Sequence, residues 1–460
     1  MPRLDAARRR GRARDPRLGV VGPASSRVTD AGEPAGPGAA TGAGAATGAG
    51  AATGAGEPSE AGASLRAGET LGPRGDAGDG GARILVVNAG SSSLKLRVLD
   101  AADAVVATAD LPAPRETADV GAIAETIAGF GDIAAVGHRI VHGGARYSGP
   151  VRLDAEVEAN LRALTDLAPL HQPKSLAALT AVNAALPTVP AVACFDTAFH
   201  AGMPAAATTY AIPPEWRKRW ALRKYGFHGL SHAYASRRAA AMVGRPVEDL
   251  RIVTCHLGAG ASLAAILGGR SVDTTMGFTP LDGLVMATRS GSIDPGLVLW
   301  LEGHVGMPPE ELAATLEHRS GLLGLAGTAD MRAILAANAS GDETAALAIG
   351  VYLHRLRASI AAMVAALGGL DILVFTGGVG EHAPAIRERV VAGLAFLGAG
   401  VDSATNAAVA GDAEITAAGS RVRTLVVVAR EDVEIAREVR AVLGLPAVAR
   451  LWDECRSQPA

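Results

Sequence analysis

Several short stretches of this sequence set cations and imidazoles beside glycine, a combination suited to handling anions. In Gly137-His138-Arg139-Ile140-Val141-His142-Gly143-Gly144, Arg139 lies close to glycines, where a guanidinium can grip a carboxylate or phosphoryl group with two parallel hydrogen bonds. Arg223 to His232 packs two cations, two aromatics and two histidines around two glycines. No simple structural device needs that density, and His228 is a candidate donor to a transferring phosphoryl group. Arg289, in Thr288-Arg289-Ser290-Gly291, is a second candidate for neutralising transition-state charge. A surface arginine is the structural alternative for both Arg139 and Arg289. Asp196 follows an apolar run, where it could supply a carboxylate to Mg²⁺ or cap a helix. Glu431 and Asp432 open the last helical stretch, where a helix dipole alone would favour acids.

The elements that must carry these groups are legible in outline. Ile84 to Val87 read as a buried strand, and Leu94, Leu96 and Val98 alternate with Lys95 and Arg97 as in a half-buried one. Together they form a hairpin whose tip, Asn88 to Ser93, lets backbone N–H groups approach a polyphosphate, with Lys95 as a mobile charge. A helix is expected over 118–130, a strand over 133–136, and a helix from Leu170-His171-Gln172-Pro173 to about Ala185. Strands follow over 189–195 and 249–256. After the second of these, Gly258-Ala259-Gly260-Ala261-Ser262 and the apolar return 263–267 repeat the opening hairpin, which points to an internally duplicated fold with a cleft between halves. Residues 373–375 read as a strand, Thr376-Gly377-Gly378-Val379-Gly380-Glu381 as a glycine-rich turn, and a helix begins at Pro384. A last strand spans 424–428.

Composition bounds the rest. The chain has 460 residues, 49% hydrophobic and 19% charged, enough for two domains, and a net charge of -3 that offers nothing to nucleic acid or an anionic membrane. Residues 1–82, in which Thr-Gly-Ala-Gly-Ala-Ala recurs from Thr41 and Thr47 and in part from Thr53, have almost nothing to bury and are expected to be a disordered extension. Cys194, Cys255 and Cys455 lack metal-ligand spacing, and the first two read as small core residues in a reducing cytoplasm.

Seven motifs in order, VNAGSSSLK, GHRIVHGG, FDTAFH, YGFHGLSH, HLGAGAS, GFTPLDGL with TRSG, and FTGGVGE, resemble the acetokinase family from Arg83 to about Leu445. The resemblance implies an α/β fold of the actin, sugar-kinase and Hsp70-like (ribonuclease H-like) kind: two related domains around an ATP cleft, in a cytoplasmic homodimer. The expected boundaries are 83–198, completed by a C-terminal helix over 433–448, then 199–432, with a tail over 449–460. The implied reaction is Mg²⁺-dependent (Mn²⁺ as alternative), reversible transfer of the γ-phosphoryl group of ATP to acetate, giving acetyl phosphate and ADP. Propionate or butyrate as acceptor, or an ATP-binding member without turnover, are the alternatives. On the matching positions, Arg139 binds the carboxylate, and His228 and Arg289 stabilise the transferring group. Asn88 lies beside the reaction centre, and Asp196 and Glu431 hold the metal with it. Ser91, Ser93, Lys95, His256, Leu257, Gly258, Ala259 and Gly260 line the phosphates, with His171 nearby. Asp330, Met331, Arg332, Gly378, Val379 and Gly380 surround the nucleoside, and Val141, Leu170, Phe227 and Pro280 form a small methyl pocket.

Some positions depart from the family pattern. Ala259 and Gln172 stand where Asn is usual, Ser292 where Asp is usual, His382 replaces Asn, Ala145 replaces Glu, and Leu230 replaces Thr. None removes a residue with an implied chemical role; at Ala259 the phosphate hairpin is expected to lose one hydrogen-bonding amide.

Overall fold

The computed structural model describes residues 81–90, 93–112, 120–165 and 172–446, all within one compact unit. The expectations for residues 1–80, Ser91, Leu170, His171, Cys455 and the tail lie outside the described residues.

The chain is α/β with two mixed six-stranded sheets. The first contains β1 (Ile84–Ala89), β2 (Ser93–Leu99), β3 (Val105–Pro112), β4 (Ala135–Ile140), β5 (Val151–Arg152) and β6 (Ala191–Phe195). The second contains β7 (Arg251–Leu257), β8 (Ala261–Leu267), β9 (Arg270–Thr274), β10 (Ile372–Thr376), β11 (Ala413–Glu414) and β12 (Arg423–Val426). Their orders are β3-β2-β1-β4-β6-β5 and β9-β8-β7-β10-β12-β11, so each strand of one has a counterpart in the other. Directions match as well: an antiparallel meander of three strands, two parallel additions, and one antiparallel edge. Even the register irregularity recurs, at Val98/Leu99 between β2 and β3 and at Ala265/Ile266 between β8 and β9. The duplication expected from the two hairpins is present in the topology.

Helices cover both sheets, and the last one returns to the first. Helix Gly229–Met242, just before the second sheet in the chain, lays Ala235, Ala239 and Ala240 on Ile252, Ala264 and Val374 of that sheet. Helix Glu431–Leu443 follows the second sheet yet lays Ile435, Ala436 and Val439 on Ile84, Val86 and Val192 of the first. Each fully buried Ile or Val on that face contributes about 1.5–3 kcal/mol. Gly137 makes the approach possible: a Cβ there would stand 2.5 Å from Ile435 Cγ2 and 2.8 Å from Val439 Cγ2. The other faces are covered by Gln172–Ala185, through Ala178, Ala181 and Val182, and by the long helix Glu343–Leu367. The latter is long and apolar enough to cross a membrane, but Tyr352, Leu353, Leu356 and Ile360 bury its inner face in the core.

Three departures from expectation bear on the site. The hairpin tip is tighter, because Asn88 still pairs with Lys95 and Ala89 with Leu94. The strand expected to end at Val136 continues to Ile140, since Val136 to Ile140 pair in parallel with Ala191 to Phe195. The glycine-rich turn after β10 is a helical segment, Gly377–His382, entered through a left-handed Gly377 at φ +77°.

Candidate active site

Four side chains from the first sheet and the last helix meet at its carboxyl edge. Arg139, on β4, donates from Nε to Asp196 Oδ1 at 3.0 Å and from Nη2 to Asp196 Oδ2 at 2.7 Å. Its Nη1 donates to Asn88 Oδ1 at 3.0 Å, and Nε lies 3.8 Å from Glu431 Oε2. Asn88 Nδ2 donates to Glu431 Oε2 at 3.2 Å, closing the ring. Asp196 is therefore committed to Arg139 through its side chain. Its helical duty is done by its backbone, whose carbonyl accepts from Gly229 N at 2.8 Å. A guanidinium has five N–H hydrogens; among the described residues Asp196 and Asn88 take three of those of Arg139, which leaves two for a ligand.

The charges are tightly linked. Burial opposes the charge on Arg139, but Asp196 and Glu431 outweigh it and hold the guanidinium firmly protonated. Burial pushes the Asp196 carboxyl up, and the nearby Glu431 charge adds to this, with Arg139 opposing both. Glu431 is also raised by burial, but Arg139 and then His256 bring it net below its ordinary value.

The facing wall comes from the second half of the chain. His228 stands at φ +56°, left-handed for a non-glycine residue, at the start of helix Gly229–Met242. Burial first, then the neighbouring His256 and Arg139, depress it well below the usual imidazole range, so it is neutral at pH 7. The His256 ring lies 4.4 Å from it, with Nδ1 2.7 Å from Ser231 Oγ. Gly260 is what allows the rings and Arg289 to close in: a Cβ there would sit 3.2 Å from His228 Nε2 and 3.5 Å from Arg289 Nη1. Arg289 is placed by Glu317, Nε to Oε1 3.4 Å, and by the Pro280 carbonyl at 3.3 Å from Nη1. Burial lowers its pKa, with Glu317 opposing.

One cleft of about 340 Å³ gathers Asn88, Ser93, Lys95, Arg139, Val141, Asp196, Phe227, His228, His256, Ala259, Gly260, Pro280, Arg289 and Glu431, together with Ala89 and Gly90. Leu257, Gly258, Asp330, Met331, Arg332, Gly378, Val379 and Gly380 are not among its lining residues. Leu257 and Met331 are in the core. Asp330 caps helix Met331–Ala339, accepting from Arg332 N at 2.9 Å and pairing with the same arginine's guanidinium. Gly378 adjoins the second hairpin, its N 4.0 Å from where a Gly258 Cβ would stand.

Supporting residues not singled out in the sequence include Glu317, which had no local signal, and His232, Ser262 and Thr254. His232 stood in view four residues after His228, one helical turn along the same face. Two departures from the family pattern have structural partners. Ser292 Oγ donates to Asp282 Oδ1 at 2.5 Å and accepts from Gly283 N at 3.1 Å, tying down the loop that carries Arg289. Gln172 Nε2 donates to the His142 and Leu161 carbonyls, each at 3.3 Å.

A two-sheet α/β protein with carboxylates and cations opposed in one cleft carries the groups that phosphoryl transfer needs, and comparison gives the class. The sequence profile of the acetokinase family matches residues 117–437. Among relatives, the chain is 48% identical over 315 residues to the acetate kinase of Microcystis aeruginosa, covering 68% of this chain and 78% of that one. It is 44% identical over 386 residues to that of Clavibacter michiganensis, covering 77% and 98%. Among solved structures, Porphyromonas gingivalis acetate kinase superposes with a TM-score of 0.73 at 35% identity, over 79% of this chain and 100% of that one. A propionate kinase from Francisella tularensis superposes equally well, TM-score 0.73 at 34% identity, over 78% and 100%. The chain belongs to the acetokinase family.

Proposed function

We propose that this chain is an acetate kinase, an ATP:acetate phosphotransferase that reversibly makes acetyl phosphate and ADP. The observation that carries the reading is the meeting of Arg139, Asp196, Asn88 and Glu431 with His228 and Arg289 in one cleft beside the apolar Val141, Phe227 and Pro280. A carboxylate is already an anionic nucleophile, so the protein need only bring two anions together and spread the developing charge. The remaining guanidinium hydrogens of Arg139 suit the carboxylate, and the apolar trio suits a methyl group. His228, neutral and able to donate, and Arg289 face the transferring phosphoryl group. Lys95, Ser93 and the hairpin tips accompany the phosphates.

Asp196, Glu431 and the Asn88 amide oxygen form a hard oxygen set fitting Mg²⁺ or Mn²⁺. Among the described residues there is no group of three or more metal-ligating His, Cys, Asp or Glu side chains. Two carboxylates with substrate phosphates nevertheless suffice for Mg²⁺, which commonly binds that way. When bound, it neutralises polyphosphate charge. The family resemblance supports a nucleoside site beside Asp330, Met331, Arg332, Gly378, Val379 and Gly380. The functional halves are taken as 83–198 with the C-terminal helix, and 199–432, each built on one sheet.

Propionate is the second reading, favoured by the similarity to a solved propionate kinase. Trapping the acyl phosphate as hydroxamate, with ATP, Mg²⁺ and acetate, propionate or butyrate, tests both. Highest kcat/KM with acetate supports the first, and a peak at a longer acid moves the assignment. No product from protein that still binds ATP would favour an ATP-binding member without turnover, the alternative that Ala259 and Ser292 motivate. We infer a cytoplasmic homodimer as well; the exposed Leu299, Trp300, Leu347 and Phe396 support association, and light scattering reads the mass.

A further inference from the structure

Behind the cleft, three buried side chains continue from His228 into the second sheet. His228 Nδ1 lies 2.9 Å from Ser262 Oγ, the same oxygen lies 2.8 Å from His232 Nε2, and His232 Nδ1 lies 2.7 Å from Thr254 Oγ1. Thr254, His232 and Ser262 are each 0% exposed, and none lines the cleft. The backbone makes the alignment possible. His228 begins helix Gly229–Met242 and His232 N donates to its carbonyl at 3.0 Å, so the two rings share one helix face against β7 and β8.

Hydrogen accounting leaves few options. The Ser262 hydroxyl has one hydrogen and sits between two imidazole nitrogens, so it donates to one and accepts from the other. Burial, then His200 and His256, keep His232 neutral, which gives it a single N–H. Two arrangements satisfy every contact. In the first, Thr254 donates to His232 Nδ1, His232 Nε2 donates to Ser262, and Ser262 donates to His228 Nδ1. Neutral His228 then carries its hydrogen on Nε2, the nitrogen beside Gly260 in the cleft wall. In the second, every bond is reversed, and His228 presents a lone pair at Nε2. The reversed arrangement also strands the Thr254 hydrogen, because its hydroxyl has no other partner among the described residues and no access to water. The first is therefore favoured.

We propose that Thr254, His232 and Ser262 are a positioning relay that fixes the hydrogen of His228 on Nε2, so that a donor and not a lone pair meets the phosphoryl group. This rests on the reading of His228 given under the proposed function, and the test separates the two.

The direct readout is ¹⁵N NMR of the protein labelled at histidine nitrogens, in the absence of nucleotide. The relay requires His228 with Nε2 protonated and Nδ1 bare, and His232 with the same tautomer. Thr254→Val should mix the His232 and His228 tautomers, and Thr254→Ser should restore them. In turnover, Thr254→Val should lower kcat about tenfold and Ser262→Ala about 10²-fold, the scale of one lost transition-state donor, with KM values for ATP and acetate within about twofold. Ser262→Thr, which keeps a hydroxyl, should recover most of the rate. In a His228→Ala background Thr254→Val should add nothing. A His228 protonated on Nδ1 in the wild type, or unchanged tautomers in Thr254→Val, would overturn the relay. Correct tautomers with a His228→Ala enzyme of normal kcat would leave the relay standing and refute the role of His228 on which its purpose rests.

Discussion

Replacing Arg139 by glutamine removes the one cation that both Asp196 and Glu431 face most closely. In the wild type the pair is well shielded: the Arg139 side chain is 16% exposed and that of Asp196 2%. Breaking such a buried pair by deleting one partner costs about 3–5 kcal/mol, because the other charge is left without compensation. At about 2–4 °C per kcal/mol for a domain of 150–250 residues, Tm should fall by about 6–20 °C near pH 8. The pH dependence distinguishes this cause from lost packing. Without Arg139, burial and mutual repulsion drive the Asp196 and Glu431 carboxyls above their unfolded values. A carboxyl raised in the folded state penalises folding increasingly as pH rises through that raised pKa. In the wild type Glu431 is instead held low, contributing stability that is lost as pH falls. The first effect narrows the gap between variant and wild type as pH is lowered from 8 to 5, whereas the loss of the Glu431 contribution sets in only below the ordinary Glu pKa of about 4.3. Thermal melts of the two proteins at pH 8, 6.5 and 5, without nucleotide or divalent cation, measure it. Equal melting temperatures at pH 8, or a gap that does not change with pH, would refute the electrostatic account. Turnover of Arg139→Gln should fall by at least about 10³-fold, as for arginines that neutralise phosphoryl transfer elsewhere.

Other substitutions probe neighbouring contacts. Gly260→Ala introduces a Cβ 3.2 Å from the His228 ring at an unstrained backbone position, and kcat should drop at least about tenfold with Tm unchanged. Glu317→Gln frees Arg289 from its carboxylate, lowering kcat about tenfold in steady-state assays while KM for acetate stays level. Val141→Ala enlarges the apolar trio and should raise the propionate-to-acetate ratio of kcat/KM by about 10-fold or more, within the 1–3 kcal/mol a methylene is worth. Ser292→Ala removes the bonds to Asp282 and Gly283 and should cost about 1 kcal/mol in chemical denaturation.

What could be read beforehand follows from how local each signal is. The hairpins were legible because strand alternation and glycine tips are short-range features, and two copies made the duplication visible. Arg139, His228 and Arg289 were visible through their glycine-flanked surroundings. The return of the last helix to the first sheet was not, since Ile435 and Val439 meet Gly137 across some 300 residues of chain, and only the resemblance implied it. Helix Glu343–Leu367 escaped because its outer face is rich in alanine, with Leu347 and few charges, which blurs the period that marks an amphipathic helix. The extension of β4 through Ile140 was hidden by His138, a polar residue at a fully interior strand position. Glu317 reaches Arg289 from a helix with no motif, so nothing short of the fold could announce it.

The duplicated hairpins also explain how one scaffold serves two anions. At the strand pair preceding the first tip, Asn88 faces Lys95; at the corresponding pair of the second, His256 faces Ser262. The first pair places an amide and a mobile cation in the cleft, beside two carboxylates that need a positive partner. The second places an imidazole in the cleft and turns its hydroxyl inward to His228 and His232. Identical topology thus presents opposite electrostatic tasks: one hairpin balances the carboxylates around Arg139, and the other orders neutral donors beside Arg289. Exchanging Lys95 for a neutral residue should therefore weaken ATP binding with His228 unperturbed, whereas changing Ser262 should alter the His228 nitrogen signals with ATP affinity retained. If either substitution produced both effects, the two hairpins would not be acting separately, and this division of labour would be wrong.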